Sequence, residues 1–233
     1  MSGRDIVIQA VEHKVPNQVF FASRLYREEL SGMMTEAAFY KTMERLCKEG
    51  VLSKVAQGTY CRPKTGKFGV LPPSESEIIN AFTENHNGMT IGYSLYNSLQ
   101  LTTQIGKNVE VLTSGIEQKH KTIGNVRLTQ CMVEFALDTQ EMIQVLEVLQ
   151  NYTEIQDLST RRFLAYVKGF SRSYQDETFH EVYQVRKYPK RAIAFLAEIL
   201  DYYGVSHSLN RYLSSLSEYK HPRMEELYES TRA

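Results

Sequence analysis

Between Thr35 and Gly50, apolar side chains recur at the three- and four-residue spacing of an amphipathic helix. The apolar positions of this helix are Ala38, Phe39, Thr42, Met43 and Leu46. Thr35 is a residue type that caps helix N-termini, and Gly50 is typical of the position just beyond a helix end. Two short β-prone runs then flank residues 56–58, where Gly58 suits a tight turn. The pattern predicts a helix followed at once by a β-hairpin.

Three shorter patterns precede this helix. Residues 4–14 carry apolar side chains at helical spacing, and Pro16 ends that run. Residues 19–21 form a β-prone run, after which Ser23 can cap a brief helix that extends to Leu30. Three helices and a hairpin in this order are typical of a winged helix-turn-helix, in which the helices pack together. We therefore predict such a domain over residues 1–70.

The remainder of the chain divides into two further predicted parts. Residues 63–73 are rich in Gly, Pro and Lys and indicate a stiff connector. Residues 71–133 predict a small α+β domain, with a capping box at Ser74 and Glu77 and strands over 107–113 and 119–128. The fold class predicted for the whole chain is therefore α+β.

Residues 134–233 have a helical pattern and predict a helical C-terminal domain. Its helix starts are predicted at a box formed by Asp138 and Glu141, at Ser159, and at Pro189 in a first turn. A last apolar run has Leu209, Leu213 and Leu216, and the polar stretch 221–233 is predicted to fray.

Charge is distributed unevenly along this neutral chain. Residues 1–71 contain 11 Lys and Arg against 7 Asp and Glu, whereas residues 134–233 contain 12 against 15. A positive first third with an acidic remainder favours nucleic-acid binding by the N-terminal domain, although the excess is modest. Three isolated cysteines and the lack of a long apolar run predict a cytoplasmic protein without a membrane segment.

Motifs for catalysis or metal binding are weak. The tripeptide at residues 65–67 lacks the upstream Gly and the following Ser or Thr of a phosphate-binding loop. Two Glu-x-x-His pairs occur, at 117–120 and 177–180, but the first lies in a strand-like run and the second stands alone. We predict no catalytic residue, no metal site and no cofactor, and hence not an enzyme. A metal-dependent hydrolase centred on Glu177 and His180 is the weakest of three functional hypotheses.

The predicted helix and hairpin supply the better candidate site, a surface for double-stranded DNA. Residues near the start of such a helix reach base edges in the major groove, and basic residues of the hairpin reach phosphates. The carboxylates of Glu36 and Glu44 suit this role less well, since phosphates repel them unless they accept from a cytosine amino group. The candidate DNA-binding residues are Thr35, Glu36, Tyr40, Lys41, Lys48, Lys54, Gln57, Arg62 and Lys64.

A second hypothesis involves no nucleic acid. Because the outer helix face is not strongly basic, the winged helix and the helical tail could instead form a protein-interaction module. A neutral or acidic surface around Tyr40, Lys41, Lys54 and Arg62 would favour this alternative.

Three sequence stretches resemble a known family. The run RLCKEGVLSKVAQGTYCRPK at 45–64, the run GYSLYNSLQLTTQIGKNVEVLTSG at 92–115, and KTIGNVRLTQ at 121–130 are similar to AbiEi-type antitoxins. These proteins are the antitoxin and transcriptional-repressor components of type IV toxin–antitoxin systems. The resemblance covers about residues 5–130. Gly58 and Tyr60 match as a turn and a core aromatic, whereas Lys54 and Gln57 stand where the family more often has Arg.

This resemblance implies an N-terminal winged helix that binds repeats in its own promoter. It also implies a nucleotidyltransferase-like toxin encoded alongside, which the antitoxin counteracts without a stable complex. The resulting expectation is an autoregulating DNA-binding repressor that acts as an antitoxin. The weaker basic character at Lys54 and Gln57 implies weaker phosphate binding by this hairpin.

Overall fold

A computed structural model describes residues 2–231 of the chain. Within these residues it contains ten α-helices and nine short strands, which makes the protein mixed α+β, in agreement with the predicted class. The chain divides into two compact units. The first comprises residues 1–84 with 122–126, and the second comprises residues 85–121 with 127–233.

The first unit alternates short helices and strands. Its helices are α1 (Gly3–Glu12), α2 (Ala22–Leu25), which continues as a π-helical turn (Tyr26–Leu30), α3 (Glu36–Lys48) and α4 (Glu75–Thr83). Its strands are β1 (Val19–Phe21), β2 (Ser53–Ala56), β3 (Thr59–Cys61), β4 (Lys64–Gly66) and β5 (Gly69–Leu71). Strands β1, β3 and β2 form one antiparallel sheet in that order, and β4 pairs with β5 in a separate hairpin.

The core of the first unit lies between α1, α3 and the three-stranded sheet. Helix α3 turns Phe39, Met43 and Leu46 completely inward, as its apolar spacing predicted. These side chains pack with Val7 and Val11 of α1 and with further apolar residues of the sheet. Burial of this continuous apolar face fixes α3 in place and leaves its opposite face in solvent.

The second unit is larger and mostly helical. Its elements are β6 (Gly88–Ile91), α5 (Gly92–Ser98), β7 (Val109–Thr113), most of the pair β8 (His120–Ile123) and β9 (Val126–Gln130), α6 (Leu137–Gln150), α7 (Thr160–Phe170), α8 (Asp176–Val185), α9 (Lys190–Tyr202), a 3₁₀ turn (Leu209–Tyr212) and α10 (Met224–Ser230). The tip of the β8–β9 pair, residues 122–126, is assigned to the first unit. The sheet order is β6-β7-β9-β8. Helix α6 has eight buried residues and is the central helix of the unit.

The two units do not coincide with the three predicted domains, 1–70, 71–133 and 134–233. Helix α4 belongs to the first unit, where Phe82 packs edge-on against Phe21 of β1 with ring centroids 4.9 Å apart. Residues of β6, α5 and β7 share one apolar core with the C-terminal helices. The physical reason is that the short sheet buries its apolar face only by packing on those helices.

Most predicted helix caps are confirmed. Thr35 caps α3, Ser159 caps α7, and Ser74 with Glu77 forms a reciprocal capping box at α4. The predicted caps at Ser23 and at Asp138 are wrong. Helix α2 begins one residue before Ser23, and the N-cap position of α6 is Ala136, which leaves Asp138 inside the first turn.

Three other local predictions need correction. Residues 63–73, predicted to be a connector, contain the β4–β5 hairpin. The predicted helical run at Leu209, Leu213 and Leu216 is only the 3₁₀ turn, and Leu216 lies in solvent. The stretch 221–233 was predicted to fray, yet α10 buries Met224 and Leu227; the last two residues lie outside the described part. An apolar pair spaced three apart is enough to anchor one face of a short helix.

Candidate nucleic-acid interface

The outer face of α3 presents several cationic side chains. Arg45 follows Lys41 by four residues, and Lys48 follows Arg45 by three. At this spacing the three side chains share one side of the helix. All three are exposed, and within residues 2–231 none forms an ion pair. Glu44 lies on the same face and is exposed as well. The face carries three positive charges and one negative charge available to a partner.

The start of α3 is less available for binding than the sequence suggested. The hydroxyl of Thr35 accepts a hydrogen bond from the Ala38 backbone N–H at 3.4 Å, so this oxygen caps the helix. Glu36 is exposed in the first turn, where the helix dipole favours its negative charge. The ring of Tyr40 is half-buried and packs edge-on against Phe39, with centroids 5.2 Å apart. Tyr40 thus contributes to the core as well as to the surface.

The β2–β3 hairpin places two candidate residues in solvent. Its strand β3 is central in the sheet, where Tyr60 and Cys61 are both buried and Tyr60 packs in the core cluster with α1 and α3. Lys54, paired in register with Tyr60, and Gln57 at the turn are both exposed. The turn needs Gly58, whose φ of +70° is unfavourable for other residues. The carbonyl of Gly58 accepts from the Ala22 N–H at 3.0 Å, which anchors the turn to α2.

The hairpin and α3 are close enough to influence each other electrostatically. Burial raises the pKa of the Cys47 thiol on α3, and the nearby ammonium of Lys54 partly opposes that rise. Burial also raises the pKa of Tyr60, with smaller contributions from Cys47 and Glu44. The pKa of Cys61 rises to about 11 for the same main reason. Both thiols therefore stay neutral near pH 7.

Arg62 and Lys64 have separate roles. The guanidinium of Arg62 donates to the carbonyl oxygens of Glu12 at 2.7 Å and Lys14 at 2.8 Å, and so caps the end of α1. Both hydrogen bonds come from Nη1, so this nitrogen is committed to the fold, and a phosphate contact by Arg62 would have to use its Nε or Nη2. The Lys64 backbone N–H donates to the side-chain oxygen of Asn17 at 3.2 Å, while its ammonium is exposed.

Sequence reasoning missed three exposed residues of this unit. Arg45 belongs to the cationic face of α3, and Lys67 and Phe68 form the turn of the β4–β5 hairpin. Arg45 could have been found by projecting the helix, since it follows Lys41 by four residues. The two glycines that flank Lys67 and Phe68 were the available signal for a hairpin.

Charged groups of the second unit are organised differently. Glu147 of α6 is almost fully buried and accepts from the Arg186 guanidinium at 2.8 and 2.9 Å and from the Tyr188 hydroxyl at 3.0 Å. Burial lowers the pKa of Arg186, but the Glu147 carboxylate and Tyr188 raise it more, so the net shift is upward. This network joins α6 to the end of α8.

The Glu177 and His180 pair does not form a metal site with other ligands. His180 Nδ1 lies 2.7 Å from the Tyr212 hydroxyl, and no group of three His, Cys, Asp or Glu side chains suited to a metal occurs in residues 2–231.

Among the described residues, 2–231, no helix is long and apolar enough to cross a membrane.

Comparison with known families places this α+β protein in a defined group. Residues 17–149 match a family of unknown function, DUF6088, and the chain belongs to that family. The match begins at Asn17 and includes α3, both hairpins of the first unit, the four-stranded sheet and nearly all of α6. No curated protein matches the chain.

Proposed function

We propose that the protein is a DNA-binding transcriptional repressor whose first unit acts as a winged helix-turn-helix. Helix α3 would lie in the major groove, and the β2–β3 hairpin would serve as the wing on the flanking backbone. The observation that carries this proposal is the set of exposed cations on α3 that form no ion pair among the described residues, followed along the chain by a hairpin on which Lys54 is exposed. The β1-β3-β2 sheet, whose strands β2 and β3 form a hairpin directly after α3, supports the same assignment.

The charges on α3 set the expected mode of binding. Lys41, Arg45 and Lys48 would neutralise phosphates and release counterions, which gives affinity that falls with salt. Glu36 and Glu44 on α3 would favour sites where they accept from cytosine amino groups, because elsewhere the phosphates repel them. The mixed charge predicts modest affinity for a single copy and a strong dependence on the bases contacted.

The biological role proposed is that of an antitoxin in a type IV toxin–antitoxin system. Its support is the resemblance of residues 5–130 to AbiEi-type antitoxins, which extends from the first unit into the second. In this proposal the protein binds repeats in its own promoter and counteracts a nucleotidyltransferase-like toxin without a stable complex. Expression of the adjacent gene should then arrest growth, and co-expression of this chain should restore it.

A gel-shift titration with the protein's own upstream DNA at several salt concentrations tests DNA binding. Changing Lys41 and Lys54 to Ala should weaken binding and reduce the slope of log affinity against log salt by about 0.9 for each phosphate that is no longer neutralised. Lys168→Ala is the matched control, because that exposed lysine lies at the end of α7 in the second unit. Salt-insensitive or undetectable binding by the intact protein would refute the proposal.

The second candidate function is docking on a protein without DNA. The observation that favours it is the presence of Glu44 on the cationic face of α3, which lowers the net charge of that face, together with the exposed Glu36 in the first turn. Under this alternative, charge reversal at Glu44 would disrupt a protein complex. Under the DNA proposal, Glu44→Gln would preserve DNA binding or strengthen it, since it removes a repulsive charge.

A further inference from the structure

We infer that the β4–β5 hairpin, residues 64–71, is a second DNA-contacting element, with Lys67 on a phosphate and the Phe68 ring inserted against bases in the minor groove. This inference rests on the proposed DNA-binding function and extends it to residues that the winged-helix assignment does not use. It concerns a part of the chain that contributes no buried side chain to the core.

The hairpin is firmly attached at its base. Asn17, only 2% exposed, accepts from the Lys64 N–H at 3.2 Å and donates from its amide nitrogen to the Pro72 carbonyl at 3.3 Å. The Asn17 N–H also donates to the Arg62 carbonyl at 2.8 Å. One buried side chain therefore holds both ends of an otherwise exposed hairpin. A fixed base gives the tip a defined direction, which reduces the entropy lost when it binds.

The tip of this hairpin is formed by two side chains. Gly66 pairs with Gly69, so Lys67 and Phe68 make a two-residue turn and lie beyond the ends of the strands. Phe68 is 96% exposed, and the Lys67 ammonium lies 5.9 Å from its ring centroid. An exposed ring beside a cation combines an apolar surface that can stack on a base with a charge that can meet a phosphate.

Charge identifies the class of that partner. Residues 62–74 contain three cations and no carboxylate, and the ammonium groups of Lys64 and Lys67 have no ion-pair partner among the described residues. A polyanion complements this segment. The same hairpin of a second copy does not, because a symmetric contact would bring Lys64 and Lys67 of both copies together.

The widths of the DNA grooves indicate which groove the hairpin tip enters. The minor groove is about 6 Å wide, which admits a side chain but excludes a two-stranded ribbon. The tip alone can therefore enter it, and proteins that use minor grooves commonly insert apolar wedges between base steps. Lys67 beside the ring would meet the phosphate at the groove edge.

The test uses full-length protein and its upstream DNA carrying 2-aminopurine at successive positions. Wild-type protein should raise the 2-aminopurine fluorescence at one step, because insertion of Phe68 unstacks the base. Phe68→Ala should abolish that rise and weaken binding about tenfold with an unchanged salt slope. Phe68→Tyr should retain both, and Lys67→Ala should reduce the slope by about 0.9.

Leu216→Ala is the matched control, since Leu216 is also 96% exposed but lies in the second unit. If wild-type protein binds and Phe68→Ala gives the same affinity and fluorescence, the hairpin inference fails and the winged-helix proposal stands. If wild-type protein does not bind DNA, the proposed function itself fails. A change in the sedimentation of the free protein on Phe68→Ala would instead identify an interface between copies and would overturn the inference.

Discussion

The two units of the protein differ in whether an ion pair lies within the core. In the first unit, the ion pairs Arg4–Glu49, Lys14–Glu29 and Arg24–Glu28 lie at the surface, and further lysines have no ion-pair partner among the described residues. The second unit also has an exposed pair, Arg191–Glu154, but in addition Glu147 and Arg186 form a pair within its core. The difference indicates where charge serves the fold and where it is available to another molecule. Surface pairs contribute little to stability, so the first unit can exchange them for external partners.

The buried pair should show the largest effect on stability. Arg186→Ala leaves the Glu147 carboxylate, 2% exposed, without its cation, and we expect the free energy of unfolding to fall by about 3 kcal/mol. The expected loss lies at the low end for buried pairs because the Arg186 side chain is itself 26% exposed. Urea unfolding followed by circular dichroism measures the change.

Arg24→Ala is the counterpart in the first unit. Its partner Glu28 is four residues away on the same helical segment, and both side chains are about half exposed. We expect a loss of at most about 0.5 kcal/mol. If Arg186→Ala and Arg24→Ala lowered the free energy of unfolding equally, the proposed difference between the two units would be wrong.

Asn17→Ala should have an intermediate effect and would sharpen the comparison, because Asn17 is a buried polar residue of the first unit that carries no charge. The change removes the partners of the Lys64 N–H and the Pro72 carbonyl at once, and Ala is less favourable than Asn at a φ of +63°. We expect about 2 kcal/mol of destabilisation. Asn125→Ala, at an exposed turn, should change the free energy of unfolding by less than about 0.5 kcal/mol.

A small effect is expected at Glu77, and it should depend on pH. The Ser74 backbone N–H, 2.6 Å from the carboxylate, and then the Ser74 hydroxyl hold the pKa of Glu77 below its usual value. A lowered pKa in the folded state stabilises the protein above the unfolded pKa of about 4.3, and that contribution is lost as the pH falls through the folded value. Glu77→Gln should therefore lower stability by about 0.5 kcal/mol at pH 7.

Unfolding of wild type and Glu77→Gln across the acid range provides the measurement. The two curves should converge below the folded-state pKa of Glu77, where the carboxyl is protonated in both folded and unfolded protein. A difference that stays constant down to pH 2 would show that the glutamine change acts through something other than charge.

Sequence patterns predicted much of the first unit because its local rules agree with its packing. The cap at Thr35, the inward positions of α3 and the turn at Gly58 each follow from neighbouring residues. The exposure of Lys41 followed from the helical periodicity of α3, and that of Lys54 from its place on the predicted hairpin. The hydrogen bonds of Arg62 could not be predicted, because they join residues about 50 positions apart.

The predictions that failed concern elements that are held by contacts between residues far apart in the sequence, or strands that lack an alternating apolar pattern. The β4–β5 hairpin has no buried face, so its strands lack the alternation that marks half-buried strands. The pair Glu147–Arg186 joins positions 39 apart on two helices. The structure has two units where three domains were predicted, because β6 and α5 pack on α6. The hydrophobic periodicity of a sequence does not show which elements pack together.

The hydrogen bonds of the Asn17 side chain to Lys64 and Pro72 also make residues 65–70 suitable for replacement by protein engineering. Both ends of the segment are held by one amide side chain, and Thr65, Phe68 and Val70 contribute nothing to the core. A foreign peptide loop of matched end-to-end spacing could replace these six residues while the α3 surface and the buried residues keep their sequence. The scaffold would then display a chosen epitope in a constrained form.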